Sequence, residues 1–408
     1  MTRLLRILIV IIYLSCSVTA QERTDSVFPL DGEEDLTVSI LTCDPGPDVY
    51  ELCGHAAIRI RSEKMDSVWN YGIFDFTSPN FIYRFCKGET DYMVYGYRFE
   101  RFMPPYVRRG SRVTEQVLNL SQEEAKKLRE LLQIESLPEN RVYRYNYVRD
   151  NCATRPWKRV TQSTGREIAL PDTLFFPTFR SEMRHFHRNY PWYQFGIDLV
   201  LGSGLDYPLA KDEDTFAPPV LQAKLAQAFI GGEPLVSQTN ILFPGYVDPT
   251  LPPTPWYLTP MAVGIVMLLL SLGTLFAYMS KGILLKWWIS LYFLVAGIAG
   301  CIVTFLVFFS EHEATSPNLL LLWLNPLQLI VAVGIWFKSW RLPLNAMAFY
   351  NILMALGLTI FLGVIGSPVA LQDVNSAVWP MLWSILPLSD AILFINGILK
   401  LKQKKRKK

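Results

Sequence analysis

Charge is scarce in this chain: 18% of its 408 residues are charged, half are hydrophobic, and mean hydropathy is +0.20. Soluble domains carry about 25% charged residues, so an ordinary soluble protein of this size is excluded and a membrane protein is the first expectation. Cysteine is also sparse, at six, which rules out a small disulfide scaffold. The apolar content rules out disorder and collagen. Histidine is rarer still, with four in the whole chain. Nor is the net charge of +3 a basic surface, because residues 400–408 (KLKQKKRKK) hold seven basic side chains and the rest sums to −4. A nucleic-acid partner is therefore not indicated, and the tail reads as a cytoplasmic anchor beside anionic membrane lipid.

What is present divides the chain. Residues 1–20 have basic Arg3 and Arg6, an apolar run over 7–14 and a small-residue site at Val18-Thr19-Ala20, the pattern of a signal peptide cleaved after Ala20. Residues 21–248 have mixed composition and alternating apolar stretches, with enough length to bury a core, so one globular domain outside the cytoplasm is expected. A proline-rich linker, 249–256, leads into Trp256 and Tyr257, an aromatic pair suited to the lipid headgroup level. Five segments follow, 257–279, 287–309, 319–337, 344–366 and 378–399, each long enough to cross about 30 Å of hydrocarbon at about 1.5 Å per residue. Lys281 and Lys286 fall in the first loop and Lys338 and Arg341 in the third, while loops 310–318 and 367–377 hold no lysine or arginine. All the basic regions thus lie on one side, which puts the C-terminus in the cytoplasm and the N-terminal domain across the membrane. The fold class expected is α+β for that domain, followed by an all-α membrane domain of five helices. Asp390, three residues after Pro387 in the fifth span, is either functional or a packing residue near a kink.

Within the N-terminal domain, 36–42 alternates as a strand and a Cys-Asp-Pro-Gly-Pro turn follows. His55 opens a second strand, 55–61, directly after Gly54, so the backbone there can pack closely and leave the imidazole open. Residues 67–72 return as its hairpin partner. A turn centred near Ser62 or Glu63 sets Asn70 opposite His55. A further strand is expected at 116–120, then a helix from the capping box Ser121 to Glu124 as far as Glu135. The aromatic stretch 143–148 is expected to be extended and runs into 149–155 (RDNCATR), where Cys152 sits at a strand-to-helix junction between arginines. Positive charge and helix N-terminal N–H groups both favour a thiolate. Cys16 leaves with the signal peptide and Cys301 lies in the second span, so Cys43, Cys53, Cys86 and Cys152 remain in an oxidising compartment, an even number compatible with two disulfides. If Cys43 pairs with Cys53 or Cys86, one other cysteine stays free. His185 and His187 make a poor metal site by themselves.

The order of these motifs has a parallel. Gly54-His55 before an apolar strand, with Asp150-Asn151-Cys152 at a helix start about a hundred residues later, resembles the circularly permuted NlpC/P60 (papain-like) proteins, including the lecithin:retinol acyltransferase-like enzymes. Residues 39–46 (SILTCDPG), 54–59 (GHAAIR), 70–76 (NYGIFDF) and 150–155 (DNCATR), with the spans behind them, resemble more closely the Lnb family of Bacteroidota lipoprotein N-acyltransferases. The likeness covers nearly the whole mature chain, including the His312 loop and Leu324-Asn325-Pro326. It implies a permuted papain-like domain in the periplasm on an inner-membrane helical domain, with Cys152 as nucleophile, His55 as base and Asn70 orienting the imidazole. Tyr71 is the neighbour that a slip in register would select. Tyr71, Asn151, Ala153, Arg155 and His312 are candidates for substrate or oxyanion contacts, the backbone N–H groups of 152 and 153 for the oxyanion itself. In one respect the chain departs from the acyltransferase-like enzymes: Thr154-Arg155-Pro156 follows the cysteine in place of a histidine-aromatic pair, and Pro156 removes an N–H from the first helical turn.

The resemblance implies a two-step transfer, from a membrane phospholipid to the Cys152 thiol and from the thioester to the amino group of a diacylated lipoprotein, with no cofactor or metal. The aromatic stretch 174–209 would wall acyl chains at the interface or serve as core and lid. Two other readings of the same residues stay open: a membrane-anchored Cys-His hydrolase of cell-wall peptides or lipids, and a non-enzymatic envelope receptor or scaffold with Cys152 in a disulfide.

Overall fold

The computed structural model describes residues 35–46, 48, 50–211, 213–246, 254–365 and 371–406; the signal peptide and most of the linker lie outside the described residues. Among the described residues, the N-terminal domain has ten strands: β1 (Thr37–Cys43), β2 (His55–Arg61), β3 (Asp66–Ile73), β4 (Asp91–Arg98), β5 (Val113–Leu118), β6 (Val142–Arg144), β7 (Ile168–Ala169), β8 (Phe229–Ile230), β9 (Glu233–Pro234) and β10 (Val236–Phe243). Its helices are α1 (Phe81–Lys87), α2 (Phe99–Arg109), α3 (Gln122–Glu135), α4 (Thr154–Ser163), α5 (Phe179–His187), α6 (Pro191–Val200) and α7 (Pro218–Leu225). Seven strands form one sheet in the order β10-β5-β1-β2-β3-β4-β6, and every pairing in it is antiparallel.

β1 and β2 are buried along almost their whole length because both sheet faces are covered. Ile40, Ile58, Trp69 and Tyr71 pack on one face against Leu128 and Leu132 of α3 and Val160 of α4. Leu41, Ala57 and Val68 pack on the other against Phe102 and Tyr106 of α2. The parity of β3 therefore decides which side chains share a face: Val68 and Asn70 lie on the α2 side, Trp69 and Tyr71 on the α3 side.

Strand β5 begins three residues before the expected 116–120 and ends two earlier. The capping box at Ser121 and the end of α3 at Glu135 are as expected. Of 143–148, only Tyr143 and Arg144 belong to a strand; beyond them the chain turns back on itself through a bridge between Asn146 and Asp150.

The C-terminal part is helical: α8 (Pro260–Lys281), α9 (Lys286–Phe308), α10 (Gln328–Gly334), α11 (Arg341–Leu358), α12 (Val378–Trp383) and α13 (Ile385–Arg406). Among the described residues, four segments are long and apolar enough to cross a membrane: Pro260–Lys281, Lys286–Phe308, Lys338–Gly363 and Val378–Ile395. The expected third span, 319–337, differs, being a short 3-10 turn followed by the seven-residue α10. Pro326 lacks an N–H and disfavours helical geometry at Asn325. The freed backbone groups are satisfied by side chains: Leu327 N–H donates to Asn325 Oδ1 (3.1 Å), Asn325 Nδ2 to Leu322 O (2.9 Å) and Gln328 Nε2 to Trp323 O (3.0 Å). The break packs on α9 at Gly300, where a Cβ would stand 2.4 Å from Asn325 backbone atoms. Pro387 has a similar effect between α12 and α13, since its ring would clash with the carbonyl of Trp383, and the helix is interrupted at Ser384. Asp390 sits half-buried just beyond.

Helices α5 and α6 join the two parts. Phe195 of α6 is buried in the apolar core of the C-terminal helices, and Trp192 donates from Nε1 to Leu258 O (2.7 Å). Asn318 Nδ2 donates to Leu199 O (2.9 Å), Gly202 N–H to Ala314 O (2.8 Å), Arg184 pairs with Asp373 (2.6 Å), and Asn375 Nδ2 donates to Asp198 Oδ2 (2.9 Å). Both loops that lack basic residues thus face the N-terminal domain. Behind these contacts Arg180 is buried and bonded to Asp206 (2.6 Å) and Asp198 (3.1 Å).

Candidate active site

His55 stands at the very start of β2, opposite Cys43 of β1. Gly54 makes that position possible: its φ is +77°, and a Cβ would lie 2.5 Å from Cys43 O. The imidazole stacks on Tyr106, with ring centroids 6.4 Å apart, and the Arg109 guanidinium lies over the Tyr106 ring, 4.7 Å from its centroid.

Asn70 pairs with Ala57, not with His55 as the sequence suggested; the turn is centred one residue later than expected. A shift of two along a strand keeps the same face, so Asn70 is a diagonal neighbour of His55 and its Oδ1 contacts His55 Nε2. Asn70 Nδ2 donates to Tyr97 O–H (2.8 Å), which fixes the amide with its oxygen toward the imidazole. Nε2 then carries the proton, and Nδ1 is the nitrogen left for Cys152. Tyr71 faces the other way and donates to Glu135 Oε2 (2.8 Å).

Cys152 lies two residues before α4, in a turn knotted by Asn151. The Asn151 Oδ1 accepts from Ala153 N–H (2.8 Å) and Thr154 N–H (2.9 Å), and its Nδ2 donates to Tyr147 O (2.7 Å) and Phe216 O (2.9 Å). This corrects two expectations. The Ala153 N–H is already spent inside the turn and is not an oxyanion donor, and the Asn151 side chain is structural. The Cys152 N–H has no acceptor among the described residues. Pro156, the third residue of α4, falls between the first helical bonds, Arg155 N–H to Asn151 O (3.1 Å) and Trp157 N–H to Ala153 O (3.2 Å), so the N–H it lacks is the one that would have reached the Cys152 carbonyl, as the sequence implied.

The Cys152 sulfur meets three donors: the His55 imidazole, the Tyr145 hydroxyl and the Ala56 N–H. Burial opposes ionisation of the thiol, but the His55 charge and these hydrogen bonds outweigh it and hold the pKa below the ordinary thiol value. For His55, burial and the nearby Arg109 pull the imidazole down, and the Cys152 charge with the bonds to Cys152 and Asn70 raise it above its ordinary value. The pair therefore favours thiolate and imidazolium. Cys53 shows the contrast, because burial pushes its thiol up to about 12; burial also raises Cys43. Cys43, Cys53, Cys86, Cys152 and Cys301 are all free thiols, so the described cysteines form no disulfide framework.

The remaining candidates lie elsewhere. Arg155 is bidentate to Asp150 (2.7 and 2.8 Å), pairs with Glu135 (2.8 Å) and sits 3.5 Å over the Tyr143 ring, so with Tyr71 it braces α4 against α3 and β3. His312 donates from Nε2 to Phe85 O (2.7 Å) at the end of α1, and its contacts are with α1 and its own loop. His187 is buried between Gln194 (3.0 Å) and the Tyr147 hydroxyl (3.4 Å), and His185 packs on Phe176.

Sequence reasoning missed Tyr145 and Tyr97. Tyr145 lay inside the stretch singled out as aromatic, but which of its tyrosines meets the sulfur depends on where the chain leaves the sheet. Gly72, with φ +85°, clears the space beneath: a Cβ there would come within 3.3 Å of the Tyr145 ring and 3.9 Å of Cys152 Cβ.

Two family models match the chain, one described as the Lnb N-terminal periplasmic domain over residues 32–180 and one as the Lnb transmembrane domain over 253–400. No curated protein and no solved structure matches it.

Proposed function

Because the chain belongs to the Lnb family of lipoprotein N-acyltransferases, we propose that it carries an acyl chain from a membrane phospholipid, through a thioester on Cys152, to the α-amino group of an N-terminal diacylglyceryl-cysteine. The observation that carries this reading is the Cys152 thiol held between an imidazole oriented by Asn70 and a tyrosine hydroxyl. The thiolate attacks the ester carbonyl and the new C–S bond leaves a tetrahedral oxyanion, for which the Cys152 N–H and the Tyr145 O–H are the donors. The C–O bond then breaks as the His55 imidazolium gives its proton to the departing lysophospholipid alkoxide. In the second step the lipoprotein amine attacks the thioester, neutral His55 takes the amine's proton, and the C–S bond breaks to restore thiolate and imidazolium. The residues need no metal or cofactor for either step.

We read the N-terminal domain as a permuted NlpC/P60 type, an assignment supported by histidine on a sheet strand ahead of a cysteine before a helix. It would stand in the periplasm after removal of the signal peptide, with the basic C-terminal tail in the cytoplasm. The third hydrophobic segment, though broken, would complete five crossings.

The test is mass spectrometry of a synthetic diacylglyceryl-cysteine lipopeptide incubated in detergent with phospholipid and either the full-length protein or Cys152→Ala. The expected result is one added acyl chain on the amine with the first and none with the second, at equal folded content. Transfer retained by Cys152→Ala would overturn the mechanism; free fatty acid with no modified peptide would replace transferase by lipid hydrolase.

A further inference from the structure

Helix α1 breaks the ordinary rule for a soluble surface. Four of its seven residues are large and apolar or aromatic (Phe81, Ile82, Tyr83 and Phe85), none is buried, and Ile82 is 74% exposed. Contiguous exposed patches of this kind mark sites of interaction with a partner or a membrane. The attachments of α1 say which. Ser310 Oγ donates to Cys86 O (2.8 Å), Glu311 N–H to Lys87 O (2.8 Å) and His312 Nε2 to Phe85 O (2.7 Å), while the Tyr83 ring lies 6.0 Å from Phe305. These contacts hold α1 against the end of α9 that faces the N-terminal domain, beside the exposed rings of Phe308 and Phe309. That is the level at which a spanning helix leaves the hydrocarbon.

A line of rings then leads inward. Phe85 lies 6.0 Å from Phe81, Phe81 5.8 Å from Phe74, Phe74 5.0 Å from Tyr92, and Tyr92 4.5 Å from Tyr145, whose hydroxyl donates to the Cys152 sulfur. Phe76, half-exposed, flanks this line 4.4 Å from Phe74 and 5.2 Å from Phe81. None of Phe74, Phe76 and Phe81 is buried, so the rings present a continuous apolar surface and not a closed core.

We propose that this track receives the acyl chain of the phospholipid donor, taking it from the leaflet beside α9 and laying it across α1 and the Phe74–Phe76 corner so that its ester reaches Cys152. The assignment rests on the acyl-transfer reading above and adds the donor's binding surface to it. It also gives His312 a role, as the group that pins α1 at the membrane surface.

The experiment uses the full-length protein in nanodiscs of long-chain phospholipid and its Phe74→Ala/Phe81→Ala variant, following Cys152 acylation by intact mass. A burst with p-nitrophenyl acetate, a donor with no chain to place, is measured beside it. The ratio of phospholipid to acetate rates should fall about tenfold or more in the variant, the loss of a large apolar contact. Rates that fall in parallel overturn the track, because a displaced Cys152 would do the same, and so does no fall at all. If the unsubstituted protein is acylated by neither donor, the nucleophile reading fails on its own account. A phospholipid with a diazirine at its chain terminus, photolysed with Cys152→Ala, then decides the track separately: label on residues 74–92 supports it, and label confined to 260–395 overturns it.

Discussion

Replacing Asn70 with alanine removes the oxygen that meets His55 Nε2 and the amide that donates to Tyr97. Burial is the largest influence on His55 and works against its charge, and the bond to Asn70 is one of the few interactions that offset it. A hydrogen bond to a charged group is worth about 1.5–3 kcal/mol, so its loss should cut the thiolate–imidazolium population, relative to the neutral pair, by roughly ten- to a hundredfold. Alkylation by iodoacetamide reads that population directly and needs no natural substrate. In the unsubstituted protein the acid limb of the Cys152 alkylation profile should lie below the ordinary thiol value of about 8.5. It lies there because the thiol deprotonates early beside the imidazolium. In Asn70→Ala the limb should move up, and the rate near pH 6 should drop by that factor while the rates converge in alkali, where any thiol ionises. Asn70→Asp, which keeps an acceptor, should rescue the rate, and a Cys152→Ala background subtracts the other thiols. An unchanged rate near pH 6 in folded Asn70→Ala would refute the assignment of Asn70 as the residue that positions His55.

Three further outcomes are expected. Tyr145→Phe should slow acyl transfer by about a hundred- to a thousandfold, the usual loss of one oxyanion donor, with a smaller effect on alkylation; equal effects on both would assign Tyr145 to the thiolate alone. Burial pushes the Glu182 carboxyl up to about 9, the buried Asp214 adding to it, because the Lys224 charge beside them is already paired with Asp214. The unfolded carboxyl ionises near 4.3, so stability should fall by about 1.4 kcal/mol per pH unit from there to the folded value, and Glu182→Gln should flatten that slope and raise Tm at about pH 8; an unaltered slope would refute it. Arg180→Met leaves Asp198 and Asp206 buried without their shared cation and should cost about 3–5 kcal/mol by denaturant unfolding; a loss under about 1 kcal/mol would show that the cluster is hydrated.

Much of the site was legible because its signals are local. A glycine before a strand and a cysteine before a helix are short-range features, and Gly54, His55 and Cys152 all occupy the positions their neighbours implied. Asn70 survived a mistaken register because the error was two residues, and a strand repeats its face every two; an error of one would have selected Tyr71, which instead braces Glu135. The spent Ala153 N–H was hidden because it depends on the Asn151 side chain folding back onto its own turn, which competes with the expected donor role.

By itself the sequence determined the division into an α+β domain and apolar helices, which of the connecting loops carry no lysine or arginine, and the cysteine and histidine that the fold brings together. These follow from composition, periodicity and the cost of placing charge in hydrocarbon, all properties of the chain before it folds. Tertiary structure decided that the hydrophobic segment at 319–337 breaks at Asn325-Pro326, where the freed Leu322 and Trp323 carbonyls accept from the Asn325 and Gln328 side chains and the Tyr350 hydroxyl of α11 donates to Leu322 O (2.6 Å). It also decided that Tyr145 reaches the sulfur and that α1 lies bare beside the outer end of α9. Both depend on contacts between residues far apart in the chain, whose free energy exists only once the sheet and the helical layer have met.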